Sequence, residues 1–444
     1  MQKICFMILC SLFPVLIHAQ DYEKLDRYFD ALESNRRFMG SIAVRQGDSL
    51  LYTRNIGYAD LEEKSKIDSA TRYHIGSVSK IFTAVLILKA VEQGKLRLED
   101  NLKRYFPQIE HAADIHIEDL LRHRSGIPNF TEHPLYLSWN TRYRSRTELL
   151  EIIAAGGSDF TPGSASAYSN SNYVLLSFLL EDLYKQSYSR LLSIFITGPL
   201  RLHNTYFAGP IDPGKQEAYS YRYQDKWVKE TETHSSVTLG AGGLVSTPSD
   251  LNRFMRGLFQ GKLLSLESLD KMRTLVDGIG MGLFRFPFYE QHAYGHTGAV
   301  DGFRSILQYY PEADISYALC SNASNTVLDE ITVAVLSTVM HKPYALPDFS
   351  NDTLALSDLN PYLGVYTSAE IPLAIRIYRQ GDHLLAEGTG QGILELEAAG
   401  KYTFRHINTG MYFQFVPGRR QLTLTQAGRH FLFTKDLRKQ SPPY

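Results

Sequence analysis

Cysteine is the first scarcity: the 444-residue chain holds 3, Cys5, Cys10 and Cys320. Two of them fall in the first 19 residues, a stretch that reads as removable, so a mature chain keeps Cys320 alone and forms no intramolecular disulfide. Such a chain is held by its core, which suits a bacterial periplasm better than a disulfide-dense eukaryotic secretion. Long apolar runs are also missing. Past the N-terminus nothing approaches the roughly 18 continuous apolar residues that suggest a membrane span. Charge of one sign is lacking too, with 46 Lys and Arg against 47 Asp and Glu. That balance removes the electrostatic reason to expect nucleic acid or an acidic membrane surface as main partner. Repeats and low-complexity tracts are absent. Core-formers are not depleted, at 44% hydrophobic residues, which argues against wholesale disorder.

What is present begins with an address. Met1-Gln2-Lys3 precedes an apolar stretch from Ile4 to Ile17, then His18-Ala19-Gln20-Asp21. One cation, a short apolar core and a small residue before polar sequence predict a secretory signal peptide over residues 1–19. The alternative is an uncleaved anchor.

The length is a soft prior for two or three domains. Asp21 to Asn35 has helical spacing of apolar residues, and Gln46-Gly47-Asp48 between two apolar runs predicts a hairpin. Helices are predicted near 77–92, 117–123, 146–155, 169–196, 248–275 and 328–340. Strand-like runs return at 281–286, 292–300, 303–310 and 315–321. Strands at both ends of a helical middle imply one α/β body whose sheet is completed by distant segments. After Lys342 the texture changes to short alternating runs separated by turn residues. Eight such runs in about 85 residues predict a small antiparallel barrel or sandwich. The expected division is a body over 20–345, a linker over 346–358 and a β-domain over 359–444.

Three short segments carry chemistry. In Ser77-Val78-Ser79-Lys80 a hydroxyl and an amine three residues apart share a helix face, and a lysine of depressed pKa can activate a serine. The pattern is weak alone, because Ser268-Leu269-Asp270-Lys271 matches it and reads as a solvated helix face. Tyr168-Ser169-Asn170 offers a phenol that relays protons and an amide that orients a carbonyl, or else an ordinary helix cap. His296-Thr297-Gly298-Ala299 lies in a strand-like run. There Gly298 allows close backbone approach and the Ala299 N–H can face an oxyanion, or the histidine is merely buried.

The order of the three segments and their separations of 91 and 128 residues resemble serine β-lactamases of class C type and the related DD-peptidases and esterases. Leu120 to Pro128, Gly240 to Leu251 and Gly298 to Phe303 agree with that family, and the resemblance covers roughly residues 25–340. It implies an antiparallel sheet flanked by helices with an all-helical subdomain. It also implies roles. Ser77 is the acylated nucleophile, Lys80 and Tyr168 share acid and base work, and the N–H groups of Ser77 and Ala299 form the oxyanion hole. Asn170, His296, Thr297 and Gly298 hold substrate. One departure stands out: typical class C β-lactamases carry Lys where this chain has His296, while several DD-peptidases and esterases carry His. The tail from Leu359 is similar to lipocalin-like domains appended to such hydrolases.

The expected activity is therefore an exported serine hydrolase working through an acyl-enzyme on amides or esters (β-lactams, D-amino-acid peptides, simple esters). No cofactor or metal is implied. The partner is a small-molecule or peptide acyl donor, with no nucleic acid and no obligatory membrane span; oligomeric state is left open. Two other readings use the same site, an acyltransferase or transesterase and a penicillin-binding sensor that does not turn over. A metallohydrolase is disfavoured because the 14 His are scattered and His292 and His296 lie in strand-like sequence, without the helical spacing of a metal-binding pair.

Overall fold

The computed structural model describes residues 13–436 except 225, 348, 350–358, 382, 390–391, 401, 407–408 and 427–428, with backbone alone at 13–20 and 400. The chain divides into two compact units, one of residues 38–324 and one of the described parts of 1–37 and 325–444.

The first unit is built on a sheet. Its strands are β1 (Phe38–Gln46), β2 (Ser49–Ile56), β3 (Phe284–Phe288), β4 (Gln291–Val300), β5 (Phe303–Tyr310) and β6 (Ile315–Ser324). The order is β3-β4-β5-β6-β1-β2, every pair antiparallel. Gly47, at φ 56°, makes the predicted β1–β2 turn. Distant segments complete the sheet as expected, with Ser41 opposite Cys320. The Cys320 thiol is buried, and burial pushes its pKa up.

The helices of both units are labelled together, in chain order. We label Phe13–Ser34 α1, Ser79–Glu92 α2, Asn170–Tyr184 α3, Ser235–Gly242 α4, Pro248–Phe259 α5, Leu266–Arg273 α6 and Leu328–Val339 α7. From Ser79 to Leu88 every residue of α2 is buried. A helix hydrophobic all round belongs in a core, and Phe82 stacks on Phe254 of α5 with ring centroids 3.7 Å apart.

Two predicted helices prove to be broken. The span 169–196 stops at Lys185, whose φ of 52° caps α3 before Ser187 caps a new short helix. The span 248–275 breaks at Gly261, φ 71°, and Ser265 caps α6. Tyr73–His74, Tyr206–Phe207 and Leu244–Ser246 form a three-stranded sheet with Leu244–Ser246 at its centre. Strands of two or three residues are too short to show periodicity.

In the second unit, α1 and α7 accompany a closed eight-stranded barrel, Gly364–Thr367 through Arg429–Lys435. It closes where Tyr366 pairs with Lys435. Alternating inward residues fill it: Ile377, Phe404, Phe413, Phe415, Leu422 and Phe433 are buried. Of the predicted signal peptide, residues 1–12 lie outside the described residues, and the backbone is helical from Phe13. Most of the predicted linker also lies outside them. Among the described residues no helix is long and apolar enough to cross a membrane.

Candidate active site

Ser77 sits in a single 3₁₀ turn, Gly76–Val78, that leads into α2. Gly76 has φ 50°, and a Cβ on it would stand 2.7 Å from the Ala299 nitrogen. The turn therefore lies directly against β4, which brings the backbone of Ala299 beside that of Gly76. Gly298 makes the contact possible. A Cβ there would collide with the Ile75 carbonyl oxygen and with Ser305 Oγ, which itself donates to Ile75 O at 2.7 Å. The close approach that a glycine allows is made here to the chain's own backbone.

The Ser77 hydroxyl has two partners. Lys80 Nζ lies 3.1 Å from Oγ, and the Tyr168 hydroxyl donates to it at 2.7 Å. Lys80 has no exposed surface. Its Nζ also donates to Asn170 Oδ1 (2.8 Å) and Ala241 O (2.7 Å). These partners are neutral, and burial pulls the Lys80 pKa well below the usual lysine range. Burial likewise pushes Tyr168 above the usual phenol range, against a smaller lowering by the Ser77 hydrogen bond. Burial thus favours the neutral form of both groups.

Asn170 opens α3 and is locked into the chain. Its Nδ2 donates to Asn129 Oδ1 (3.2 Å) and Thr131 Oγ1 (3.1 Å) while Oδ1 receives Lys80. Ser169 occupies the cap position without a side-chain cap bond, and its N–H donates to His123 Nδ1 at 3.1 Å. The His123 ring lies 4.5 Å from that of Tyr168, centroid to centroid. Ser77, Lys80, Tyr168 and Asn170 are therefore brought together.

His296 also lies near Tyr168, ring centroids 6.1 Å apart. Its Nδ1–H donates to the Thr297 carbonyl, which leaves Nε2 as a buried acceptor with no partner among the described residues. Burial first, and then the nearby Lys80, lower its pKa to about 3. The imidazole is neutral at neutral pH and cannot stand in for the lysine ammonium of a class C enzyme. Thr297 and Ala299 are exposed on β4 beyond Gly295, where the pairing with β3 ends. A cleft of about 810 Å³ opens over Ser77, Asn170 and Ala299.

The second Ser-x-x-Lys match behaves differently. Ser268 Oγ is bonded by the α6 cap Ser265 at 3.1 Å, and exposed Lys271 pairs with Glu267 at 2.8 Å. An ammonium in water beside a carboxylate stays charged and activates nothing. Four supporting residues have no motif to announce them. Asn129 and Thr131 hold Asn170, the Ala241 carbonyl holds Lys80, and His123 accepts the Ser169 N–H. His123 and Ala241 do fall within the 120–128 and 240–251 segments of the resemblance, the one signal that points to them.

A family model described as Beta-lactamase matches residues 25–355. The chain belongs to the beta-lactamase family. Within it, the chain is 25% identical over 413 residues to penicillin-binding protein 4* of Bacillus subtilis (strain 168), covering 86% of this chain and 90% of that protein. It is 26% identical over 245 residues to teichoic acid D-alanine hydrolase of Staphylococcus aureus (strain MRSA252), covering 55% of this chain and 59% of the relative's length. Among solved structures, a D-stereospecific amidohydrolase from Streptomyces sp. superposes with a TM-score of 0.61 at 25% identity, over 69% of this chain and 97% of that one.

Proposed function

We propose that this serine hydrolase of the beta-lactamase family works through an acyl-enzyme on Ser77. One observation carries the reading: the Ser77 hydroxyl is contacted at once by a fully buried lysine and a half-buried tyrosine, at 3.1 and 2.7 Å. Neutral Lys80 has a lone pair for the Ser77 proton as Oγ bonds to the substrate carbonyl. Neutral Tyr168 has a proton for the departing amine or alcohol, and the Lys80 ammonium restores it. The developing oxyanion would lie between the N–H groups of Ser77 and Ala299. Water then cleaves the ester by the same steps reversed. The acyl donors we favour are amides or esters of D-amino acids, or β-lactams, since the relatives' names include penicillin binding, D-alanine hydrolysis and D-stereospecific amide hydrolysis.

We also propose export, on the pattern of residues 1–19. Intact-mass spectrometry of protein purified from its native host tests both ideas. It should show a chain starting near Gln20, and adducts after incubation with β-lactams, D-Ala-D-Ala peptides or activated esters. Ser77→Ala should form none, whereas Ser268→Ala should react like the parent. Equal labelling of the two variants would reject Ser77, and an intact Met1 would reject export.

A further inference from the structure

Ala299 on β4 lies opposite Arg304 on β5. Directly opposed residues of an antiparallel pair project from the same face, with Cβ atoms about 5 Å apart. Arg304 therefore stands beside the oxyanion-hole strand, and it lines the same cleft as Ser77. Its guanidinium is held by uncharged groups: Nη1 donates to the carbonyls of Asp301 (2.9 Å) and Phe303 (2.7 Å).

The acids nearby are already committed. Glu230 pairs with Arg222 at 2.9 Å. Asp301 receives the Thr233 N–H at 3.0 Å on one oxygen and the Thr233 hydroxyl at 2.6 Å on the other. Glu230 and Asp301 attract Arg304 through space, but no carboxylate of the described residues forms an ion pair with it, and among those residues its Nε and Nη2 have no hydrogen-bond partner and are not sealed from solvent. These two nitrogens form the edge of the guanidinium that meets a carboxylate with two parallel hydrogen bonds. Burial favours the neutral forms of Lys80 and His296, whereas this guanidinium brings a positive charge to the wall of the cleft.

We infer that Arg304 is an anion subsite of the cleft, which receives a carboxylate carried by the acyl donor through Nε and Nη2. The inference rests on the acyl-enzyme reading of Ser77. It makes carboxylate-bearing esters and amides the preferred substrate class and gives this chain a carboxylate anchor outside the His296-Thr297-Gly298 segment.

The test uses full-length protein and matched phenyl esters, one bearing a free carboxylate and the other its methyl ester. One pair carries the group on the acyl chain and a second pair on the leaving phenyl ring. The parent should prefer the carboxylate in at least one pair by kcat/KM. Arg304→Gln should cut that preference by about 10-fold or more, while the neutral esters change little. Arg304→Lys should keep part of it, because the charge stays and the fork is lost. The preference is a ratio within one sample, so a lower folded fraction cancels. No preference in the parent, or one that survives Arg304→Gln, overturns the inference. So does a preference for ammonium-bearing esters that Asp301→Asn abolishes. Ser77→Ala separates the two ideas: if it still turns over the esters, the parent reading has failed, and if it is inert, that reading stands whatever Arg304 does.

Discussion

A lysine with no exposed surface and no carboxylate is expensive to keep charged, and so Lys80 gives up its proton more readily than lysine in water. The same burial makes the Tyr168 phenol a weaker acid. Lys80→Ala and Tyr168→Phe should each slow acylation by at least about 10²-fold. Their combined loss should fall well short of the product, because the two act on one proton. Stopped-flow acylation rates of the two single variants and the double variant check this, and full multiplicativity would contradict the pair. The pH dependence has a definite sign. On the proposed mechanism deprotonated Lys80 is the active form, so acylation should be lost as pH falls through its lowered pKa. His296, lowered to about 3, is neutral at and well below neutral pH. His296→Gln should therefore leave the acid limb in place, and a limb that vanishes with it would make His296 the base.

Among elements, the site exists where the Gly76–Val78 turn, the start of α3 and β4 converge. The turn and β4 touch through glycine, with Gly298 against Ile75 and Ser305. Gly298→Ala should push the turn off the strand. We expect a loss of about 1–3 kcal/mol in stability, as for other over-packed contacts, and a fall in acylation rate at saturating probe. Gly209→Ala is the control, since nothing lies within 4 Å of a Cβ there and its φ is not positive. Urea midpoints and acylation rates of both variants decide the point: equal behaviour would mean that the close approach at 298 is unimportant. Long elements are legible in sequence. The 10 residues of β4 and the buried run of α2 declare themselves by composition, whereas the break at Lys185 depends on an αL residue that composition does not mark.

For the molecule as a whole, every residue assigned to the site lies in the 38–324 unit, and the barrel lies in the other. We propose that the two act separately. Limited proteolysis aimed at the sequence-predicted linker, 346–358, should leave Ser77 able to form adducts with an activated ester, as read by intact mass of the large fragment. Adduct formation that disappears with the tail would show that residues 359–444 shape the cleft. The eight-strand count of the barrel is readable from sequence. Each strand alternates inward and outward residues, and turn residues such as Gly381 and Gly410, both at positive φ, mark the ends.

The chemical inventory is written in the linear chain: Ser77 with Lys80, Tyr168 with Asn170, and His296 with Thr297. So are the sheet-and-helix body and the strand-rich tail, because periodicity is local and each residue type carries its own preference. Protonation is not written there; it follows from folding alone. Whether a lysine is a base or an ordinary surface cation depends on how much water and how many charges surround it, and those neighbours come from positions 168, 170 and 241, far away in the chain. That is why Lys80 and Lys271, alike in their motifs, differ in every contact. The same holds for Arg304. Its position opposite Ala299 is a matter of strand register, and register is fixed by pairing across the sheet.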